Sequence, residues 1–232
     1  MTNPLNHCIT VIACLTIQHI FFGCSADTEI TSKPGIPVEK VKEDNFSILI
    51  LGDSLTEGYG VAAEQAFPSL LEKKLNTEFS SDNNCTFKVI NAGISGSTTS
   101  GGVSRIEWLL KSQPNFLIIA LGGNDGLRGV PIGETKKNLE KIILAAQNKK
   151  IPTILAGMKI PPNYGIEYTQ KFADLYITLS QTKKVPLIPF LLEGVGGVPS
   201  LNLPDRIHPN AQGHQKISET VFNFLINYLP RK

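Results

Sequence analysis

Three residues of the chain could form a nucleophile with its activating base: Ser54, Asp205 and His208. Asp205 and His208 are three positions apart, so on one helical turn their side chains share a face. A carboxylate in that position can accept a hydrogen bond from Nδ1 of the imidazole and leave Nε2 free to act as a base. Taken alone, this spacing is equally consistent with chance. A serine hydroxyl becomes a good nucleophile only when such a base removes its proton.

Ser54 stands in the stretch ILILGDSLTEGYG, residues 48–60, where an apolar run ends in Gly52-Asp53-Ser54. A continuous apolar run is typical of a central parallel strand that is covered on both faces. The stretch therefore predicts either a tight turn or a nucleophile at the tip of a strand. We expect Asp53 to hydrogen-bond within the loop rather than to serve as the acid of a triad.

Acyl transfer also requires hydrogen-bond donors where negative charge develops on the substrate oxygen. The backbone N–H of Ser54 could supply one donor, and Gly96 could supply a second because a residue without Cβ allows close approach. The side-chain amide of Asn124 could supply a third. Gly96 could equally serve turn geometry alone, and Asn124 could equally be a helix cap or a turn residue.

Alternating strand and helix patterns after residue 46 predict an α/β fold. Apolar runs predict five strands, at residues 47–52, 87–93, 115–123, 152–158 and 186–190. Helical periodicity predicts helices at 67–75, 104–112, 133–150, 168–184 and 210–229. Parallel strands need crossover connections, and the ligand crevice of such sheets lies at the carboxyl ends of the strands. Ser54, Gly96, Asn124 and the Asp205–His208 pair all follow predicted strands, so we expect them at that edge.

The first two dozen residues have the length and apolarity of a signal peptide. Residues 1–23 end in Phe-Phe-Gly before Cys24, which resembles a bacterial lipobox whose cysteine is lipidated. Phe replaces the usual Leu three residues before Cys24, and residues 1–7 contain no Lys or Arg, so an ordinary signal peptide or an uncleaved anchor remains an alternative. Residues 24–45 are predicted to be a flexible tether and 46–232 the folded domain. We expect export to the periplasm and membrane attachment through Cys24.

Charge and cysteine content exclude several classes of protein. The 232 residues carry 22 Lys and Arg against 20 Asp and Glu, and this near-neutral balance gives no reason to expect nucleic-acid binding. With Cys8, Cys14 and Cys24 in the amino-terminal segment, Cys85 has no internal disulfide partner.

Two further kinds of site are not expected from the sequence. The four histidines are not spaced as zinc ligands are. A dinucleotide-binding fingerprint at Gly58-x-Gly60 does not directly follow a strand, as that motif requires.

The set Gly52-Asp53-Ser54-Leu55, Gly96, Gly-Gly-Asn124-Asp125 and Asp205-x-x-His208-Pro-Asn resembles the GDSL, or SGNH, hydrolases. The stretches LGGNDGLRG, PPNYG and VPLIPFLLE resemble the bacterial thioesterase I, lysophospholipase and arylesterase branch. The resemblance covers about residues 47–229. It implies a flavodoxin-like three-layer α/β/α sandwich with a five-stranded parallel sheet, a Ser54–His208–Asp205 triad, and an oxyanion hole from Ser54, Gly96 and Asn124. It implies neither a metal nor an organic cofactor.

We therefore expect an exported, monomeric serine esterase that forms an acyl-enzyme. Its substrates would be lysophospholipids, aryl esters or short-to-medium acyl esters and thioesters. Leu127, Ile160 and Leu203 would line an acyl pocket, although each could equally belong to the core. The alternative is a catalytically silent binding domain for carbohydrate or a surface on the same fold, because a fold does not determine function.

Overall fold

The computed structural model describes residues 45–79 and 85–229, and a five-stranded parallel sheet lies at their centre. The strand order is β2-β1-β3-β4-β5. The strands are β1 (Asn45–Gly52), β2 (Thr86–Gly93), β3 (Phe116–Ala120), β4 (Thr153–Ala156) and β5 (Leu187–Ile188). The predicted signal peptide, Cys24 and all but the last residue of the predicted tether lie outside the described residues.

Helices cover both faces of the sheet, as an all-parallel sheet requires. They are α1 (Ser54–Glu57), α2 (Phe67–Lys74), α3 (Thr99–Leu109), α4 (Gly123–Leu127), α5 (Ile132–Asn148), α6 (Ile166–Lys183) and α7 (Ala211–Leu225). The helices α2 and α7 pack against each other, whereas α5 packs between α3 and α6. The result is the three-layer α/β/α sandwich predicted from the sequence.

The register of the sheet aligns the strand ends at which the predicted site residues lie. Gly52, the last residue of β1, pairs with Gly93 of β2 and with Ala120 of β3. The chain connects β1 to β2 on one side and then crosses from β2 to β3 on the other side of β1, and a ligand crevice forms at such a switch point. Segments that leave these three strands therefore meet over one edge of the sheet.

The core explains the apolar runs. Residues 48–51 of β1 and all five residues of β3 are buried. In α5, Leu139, Ile142, Ile143 and Ala146 are fully buried, as their helical spacing predicted. Each buried large aliphatic side chain stabilises the fold by roughly 1.5–3 kcal/mol. This rigid core fixes the strand tips and hence the residues that follow them.

Three helices differ most from the sequence-based expectation. The helix predicted at 104–112 begins earlier, at Thr99, where the side chain of Thr98 accepts a hydrogen bond from the N–H of Gly101. Glycines disfavour helix, but a Cβ on Gly102 would lie 2.5 Å from Leu121, so close packing requires glycine there. The short helices α1 and α4 were not predicted, because four and five residues are too few to show a helical period.

Candidate active site

Ser54 is the first residue of α1, two residues beyond the end of β1. The carboxylate Oδ1 of Asp53 caps this helix by accepting a hydrogen bond from the N–H of Leu55 at 3.0 Å. The turn can form only with glycine at position 52, since a Cβ there would lie 1.8 Å from Oγ1 of Thr56. Sheet, cap and turn together present the Ser54 hydroxyl at the edge of the sheet.

The structure brings His208 and Ser54 together across 154 positions of sequence. Nε2 of His208 lies 3.0 Å from Oγ of Ser54, and Nδ1 lies 2.8 Å from Oδ2 of Asp205. With Nδ1–H donating to the carboxylate, Nε2 is the acceptor that faces the serine hydroxyl. This chain of two hydrogen bonds is the arrangement that activates a serine nucleophile.

A tight turn holds the Asp205–His208 pair. Oδ1 of Asp205 accepts from the backbone N–H groups of Ile207 and His208, both at 3.0 Å. Arg206, the residue that follows Asp205 in this turn, has φ 64°, a left-handed conformation that residues other than glycine rarely adopt. Desolvation raises the pKa of Asp205, but the two N–H groups and the His208 ring outweigh it and lower the pKa to about 2. Asp205 is therefore a carboxylate at neutral pH.

The ring of Tyr59 lies against His208 on another side, with the ring centroids 4.5 Å apart. Tyr59 is half exposed at the edge of the site. An aromatic ring at this distance limits where the imidazole can move while its nitrogens remain paired.

Asn124 is the second residue of α4, the short helix that follows β3. Its Nδ2 donates to the carbonyl of Ser97 at 3.2 Å and to Oδ2 of Asp53 at 3.4 Å. Gly122, just before α4, has φ 114°, and a Cβ there would lie 2.1 Å from the Tyr176 hydroxyl oxygen. Only glycine fits this turn, so the Gly-Gly pair before Asn124 determines where its amide lies.

Gly96 stands in the loop after β2, with φ 75°. Next to it, the carboxylate Oε2 of Glu57 accepts from the backbone N–H of Ser95 at 2.7 Å and also from the Ser95 hydroxyl. Glu57 ends α1, so the helix that starts with Ser54 also anchors the loop that carries Gly96. Sequence reasoning did not single out Glu57, and only its place four residues after Asp53 could have drawn attention to it.

For Asp53 the sequence predicted a hydrogen bond within its loop but not its burial or its contact with Asn124. Its side chain is buried, and desolvation raises its pKa to about 6 against the opposing effects of the Leu55 N–H and His208. It hydrogen-bonds its own loop, as expected, and it also contacts Asn124. A buried carboxyl that lies next to Ser54 in the chain and contacts Asn124 links two parts of the site.

Arg105 of α3 hydrogen-bonds to the same edge of the sheet. Its guanidinium donates to the carbonyl of Gly52 at 2.7 Å, to the carbonyl of Ala92, and to Oγ of Ser97 at 3.3 Å. Burial lowers the pKa of Arg105, while Asp53 raises it. Arg105 thus joins the ends of β1 and β2 to the loop beyond Gly96.

A cleft of about 590 Å³ opens at this edge, and it is lined by Ser54, His208, Asn124 and Gly96 together with apolar side chains. Leu127 and Ile160 line this cleft, as predicted. Leu203 does not line it. Its N–H donates to the carbonyl of His208 at 2.7 Å, and its side chain packs towards Gly60.

Within 45–79 and 85–229, no group of three or more His, Cys, Asp or Glu side chains is arranged to hold a metal ion. None of the helices in those ranges has the length and apolarity needed to cross a bilayer.

Comparison with known proteins identifies what this chain is similar to. Residues 50–216 match the GDSL-like Lipase/Acylhydrolase family. Esterase TesA of Pseudomonas aeruginosa is 36% identical over 177 residues, 76% of this chain and 86% of that protein. An arylesterase of Vibrio mimicus is 38% identical over 183 residues, 78% of this chain and 89% of the other. The thioesterase 1/protease 1/lysophospholipase L1 of Escherichia coli is 37% identical over 174 residues, 75% of this chain and 80% of the other.

Solved structures agree with these matches. The crystal structure of TesA has a TM-score of 0.74 at 36% identity and covers 79% of this chain and 99% of that one. The psychrotrophic esterase EstA from Pseudoalteromonas sp., inhibited by monoethylphosphonate, has a TM-score of 0.73 at 32% identity and covers 78% of this chain and 97% of that one. The fold and more than 30% of the aligned sequence are thus shared with enzymes named as esterases.

Proposed function

Because the chain belongs to the GDSL-like Lipase/Acylhydrolase family, we propose that it is an esterase that forms an acyl-enzyme on Ser54. One observation carries the proposal: Nε2 of His208 lies 3.0 Å from the Ser54 hydroxyl oxygen while Nδ1 lies 2.8 Å from the Asp205 carboxylate. These distances satisfy the geometric requirement for a general base within hydrogen-bond reach of its proton.

In the first half-reaction, Nε2 of His208 takes the Ser54 proton as Oγ attacks the ester carbonyl carbon. The C=O electron pair moves onto oxygen, and the Ser54 N–H, the Gly96 N–H and the Asn124 amide stabilise that oxyanion. The intermediate collapses, the C–O or C–S bond of the substrate breaks, and His208 gives its proton to the departing alcohol or thiol. Asp205 remains a carboxylate and stabilises the imidazolium.

In the second half-reaction, water attacks the acyl-enzyme while His208 accepts its proton at Nε2. The new tetrahedral intermediate uses the same three donors, and its collapse returns the proton to Oγ of Ser54 and releases a carboxylic acid. The cycle restores the starting enzyme, and each proton moves only between His208 and oxygen or sulfur atoms bound at the site.

The substrates we propose are aryl esters, short-to-medium acyl esters and thioesters, and lysophospholipids. Apolar cleft residues such as Leu127 and Ile160 support an acyl chain at this position. The relatives support the same range, since one is an arylesterase and another a thioesterase and lysophospholipase.

We also propose that the chain is exported to the periplasm, attached to the membrane through lipid on Cys24, and monomeric. The apolar stretch before Cys24 and the polar segment after it support export and attachment. Metabolic labelling with a radioactive fatty acid tests the anchor. Label should enter the full-length protein and be absent from Cys24→Ala, and equal labelling of both would refute lipidation at this residue.

Hydrolysis of p-nitrophenyl butyrate by Ser54→Ala tests the enzymatic proposal. We expect kcat/KM to fall by at least about 10⁴-fold, since the nucleophile is lost, while circular dichroism and the melting temperature stay near the parent values. Ser112→Ala, on an exposed serine remote from the cleft, is the control and should retain full activity. Unchanged turnover in Ser54→Ala would exclude the mechanism. A folded parent protein without esterase activity would favour the silent binding domain.

A covalent inhibitor supplies an independent test. An activated ethylphosphonate ester places a tetrahedral phosphorus where the attacked carbonyl would lie, and EstA, a relative, is described as inhibited by monoethylphosphonate. We expect one phosphonyl group on the peptide that contains Ser54 by mass spectrometry. Modification confined to other peptides would contradict the assignment of the nucleophile.

A further inference from the structure

The cleft carries an unbalanced set of charges. Two cations, Lys159 and Arg206, line it, and both are exposed. The carboxyl group among the lining residues belongs to Asp53, which is only 2% exposed and whose pKa is raised to about 6 by burial. Among the described residues that line the cleft, the exposed charged side chains are therefore these two cations, and such groups attract anions.

Lys159 enters the cleft from the segment that follows β4. Its Nζ lies 4.8 Å from the centroid of the Phe190 ring, which also lines the cleft. No carboxylate lies within ion-pair distance of Nζ in the parts of the chain that the structure describes. The Phe190 ring thus supports the Lys159 ammonium group at the cleft wall, where a negatively charged ligand could reach it.

Arg206 lines the same cleft from the turn between Asp205 and His208. Its φ of 64° is a conformation that glycine adopts freely and arginine at an energetic cost. Among the described residues its guanidinium forms no ion pair, and the carboxylate of the neighbouring Asp205 pairs with His208 instead. A long cationic side chain thus stands next to the reacting groups with no carboxylate of the described chain to neutralise it.

Building on the proposed esterase activity, we propose that Lys159 and Arg206 form a subsite that binds a phosphate or carboxylate group carried by the ester substrate. A guanidinium binds such oxyanions with two parallel hydrogen bonds, and an ammonium adds a compact point charge. The apolar residues of the cleft hold the acyl chain, and the subsite selects among esters by charge. Anionic esters are then preferred over neutral esters of equal size.

Two matched substrate pairs test the subsite. Lauroyl lysophosphatidic acid and monolaurin share acyl chain and glycerol and differ in the phosphate on the alcohol side. The p-nitrophenyl esters of succinic acid (as the hemiester) and butyric acid have equal chain length and differ in a carboxylate on the acyl side. The readout is the anionic-to-neutral ratio of kcat/KM within each pair, which cancels changes common to both substrates.

We expect this ratio to fall about tenfold in Arg206→Gly and in Lys159→Gln in at least one pair, as for loss of one charged hydrogen bond. The parent ratio should also fall as NaCl rises from about 0.05 to about 0.5 M, because salt screens exposed charges. Arg206→Lys should give an anionic-to-neutral ratio of kcat/KM close to that of the parent, since it retains the positive charge in the same turn. Lys141→Gln, on an exposed lysine of α5 outside the cleft, is the matched control and should leave the ratio unchanged.

A response of the phosphate pair places the anion on the alcohol side, and a response of the hemisuccinate pair places it on the acyl side. Both responses support the subsite. Ratios that agree within about twofold among the parent and all variants in both pairs would overturn the subsite while leaving the esterase proposal intact. If the parent hydrolyses neither the neutral nor the anionic esters, the proposed function itself fails, and the subsite falls with it.

Discussion

The carboxylate of Asp205 holds His208 with both oxygens: Oδ1 accepts the His208 backbone N–H at 3.0 Å, and Oδ2 lies 2.8 Å from Nδ1 of the ring. One side chain thus fixes both the turn and the orientation of the imidazole. The role expected of such a carboxylate is to select the tautomer with Nε2 free to accept a proton.

Asp205→Asn should therefore lower kcat on p-nitrophenyl butyrate by about 10²–10⁴-fold, since an amide can donate to Nδ1 and select the wrong tautomer. KM should change little because Asp205 is not among the residues that line the cleft. Steady-state kinetics checks both values. Asp174→Asn, on an exposed aspartate of α6, should behave like the parent, and a loss of less than about threefold in Asp205→Asn would contradict the assigned role.

Asp53 should limit stability at neutral pH. Its folded-state pKa of about 6 lies above its ordinary value of 3.8, so its contribution to stability is fully present below 3.8 and is lost as pH rises through 6. We expect Asp53→Asn to raise the free energy of unfolding by on the order of 2–3 kcal/mol above about pH 7 and by little near pH 4. Urea denaturation at both pH values measures this difference. An equal gain in the free energy of unfolding at both pH values would show that the gain does not come from removing a buried charge.

The same substitution should lower activity. The amide of Asn124 donates to Oδ2 of Asp53, and an uncharged asparagine in position 53 would hold it less firmly. We expect kcat to fall about tenfold with a nearly unchanged KM, because Asn124 is proposed to act on the oxyanion rather than on the bound ester. An unchanged kcat would remove Asp53 from the support of the oxyanion donor.

His214 of α7 should make the protein sensitive to acid. It is fully buried, its Nδ1 accepts the N–H of Phe67 at 3.3 Å, and burial lowers its pKa to about 4, with His208 contributing in the same direction. A histidine with a depressed pKa stabilises the fold above its ordinary value of 6.5, and this stability is lost as pH falls through 4. The melting temperature should therefore fall steeply over that interval.

Two variants of His214 separate the effect of its titration from the effect of losing its hydrogen bond to the Phe67 N–H. His214→Phe removes the titrating group and the acceptor for the Phe67 N–H. The melting temperature should then fall less steeply with acid, while the free energy of unfolding at neutral pH should drop by roughly 1–3 kcal/mol because the N–H is left unpaired. His214→Asn also removes the titration yet keeps an oxygen near the position of Nδ1. Melting temperatures measured across the pH range check both. If both variants retain the acid slope of the parent, another group causes it.

Glycine positions offer a graded test of the turn before Asn124. Gly122→Ala combines φ 114° with a Cβ only 2.1 Å from the Tyr176 hydroxyl oxygen, so it should lower stability by more than about 2 kcal/mol and disturb activity. Gly129→Ala has φ 66° but nothing within 4 Å, so it should cost only about 1 kcal/mol. Gly133→Ala, in the first turn of α5 with open space around it, should stabilise by about 0.5–1 kcal/mol. Thermal unfolding of the three variants tests this order, and equal losses at 122 and 129 would exclude the steric contribution.

The strand pattern predicted the edge of the sheet where the site lies. Fully apolar runs at β1 and β3 indicate strands buried on both faces, and such strands need helical crossovers, which restricts the topology to a parallel sheet. The polar residues after each strand were then expected at one edge, and the pairing of Gly52 with both Gly93 and Ala120 agrees with that expectation.

Other features could not be predicted because they depend on contacts between distant segments. Within α3, Gly102 packs closely against Leu121, and outside the cleft the side chain of Leu203 packs towards Gly60. Sequence spacing contains no information about either contact, since Leu121 is 19 positions from Gly102 and Leu203 is 143 positions from Gly60, whereas helical period describes only local neighbours.

The sequence by itself determined which residue types were present and near which strand end each would lie, because hydrophobic period and turn residues are local properties of the chain. Only the tertiary structure decided that Nε2 of His208 meets Ser54 at 3.0 Å, that Asp53 is buried against Asn124, and that Arg206 takes a left-handed conformation beside the cleft. Hydrogen-bond distances, pKa shifts and backbone strain arise from the packing of segments that the sequence separates, and so they become visible only when those segments are folded together.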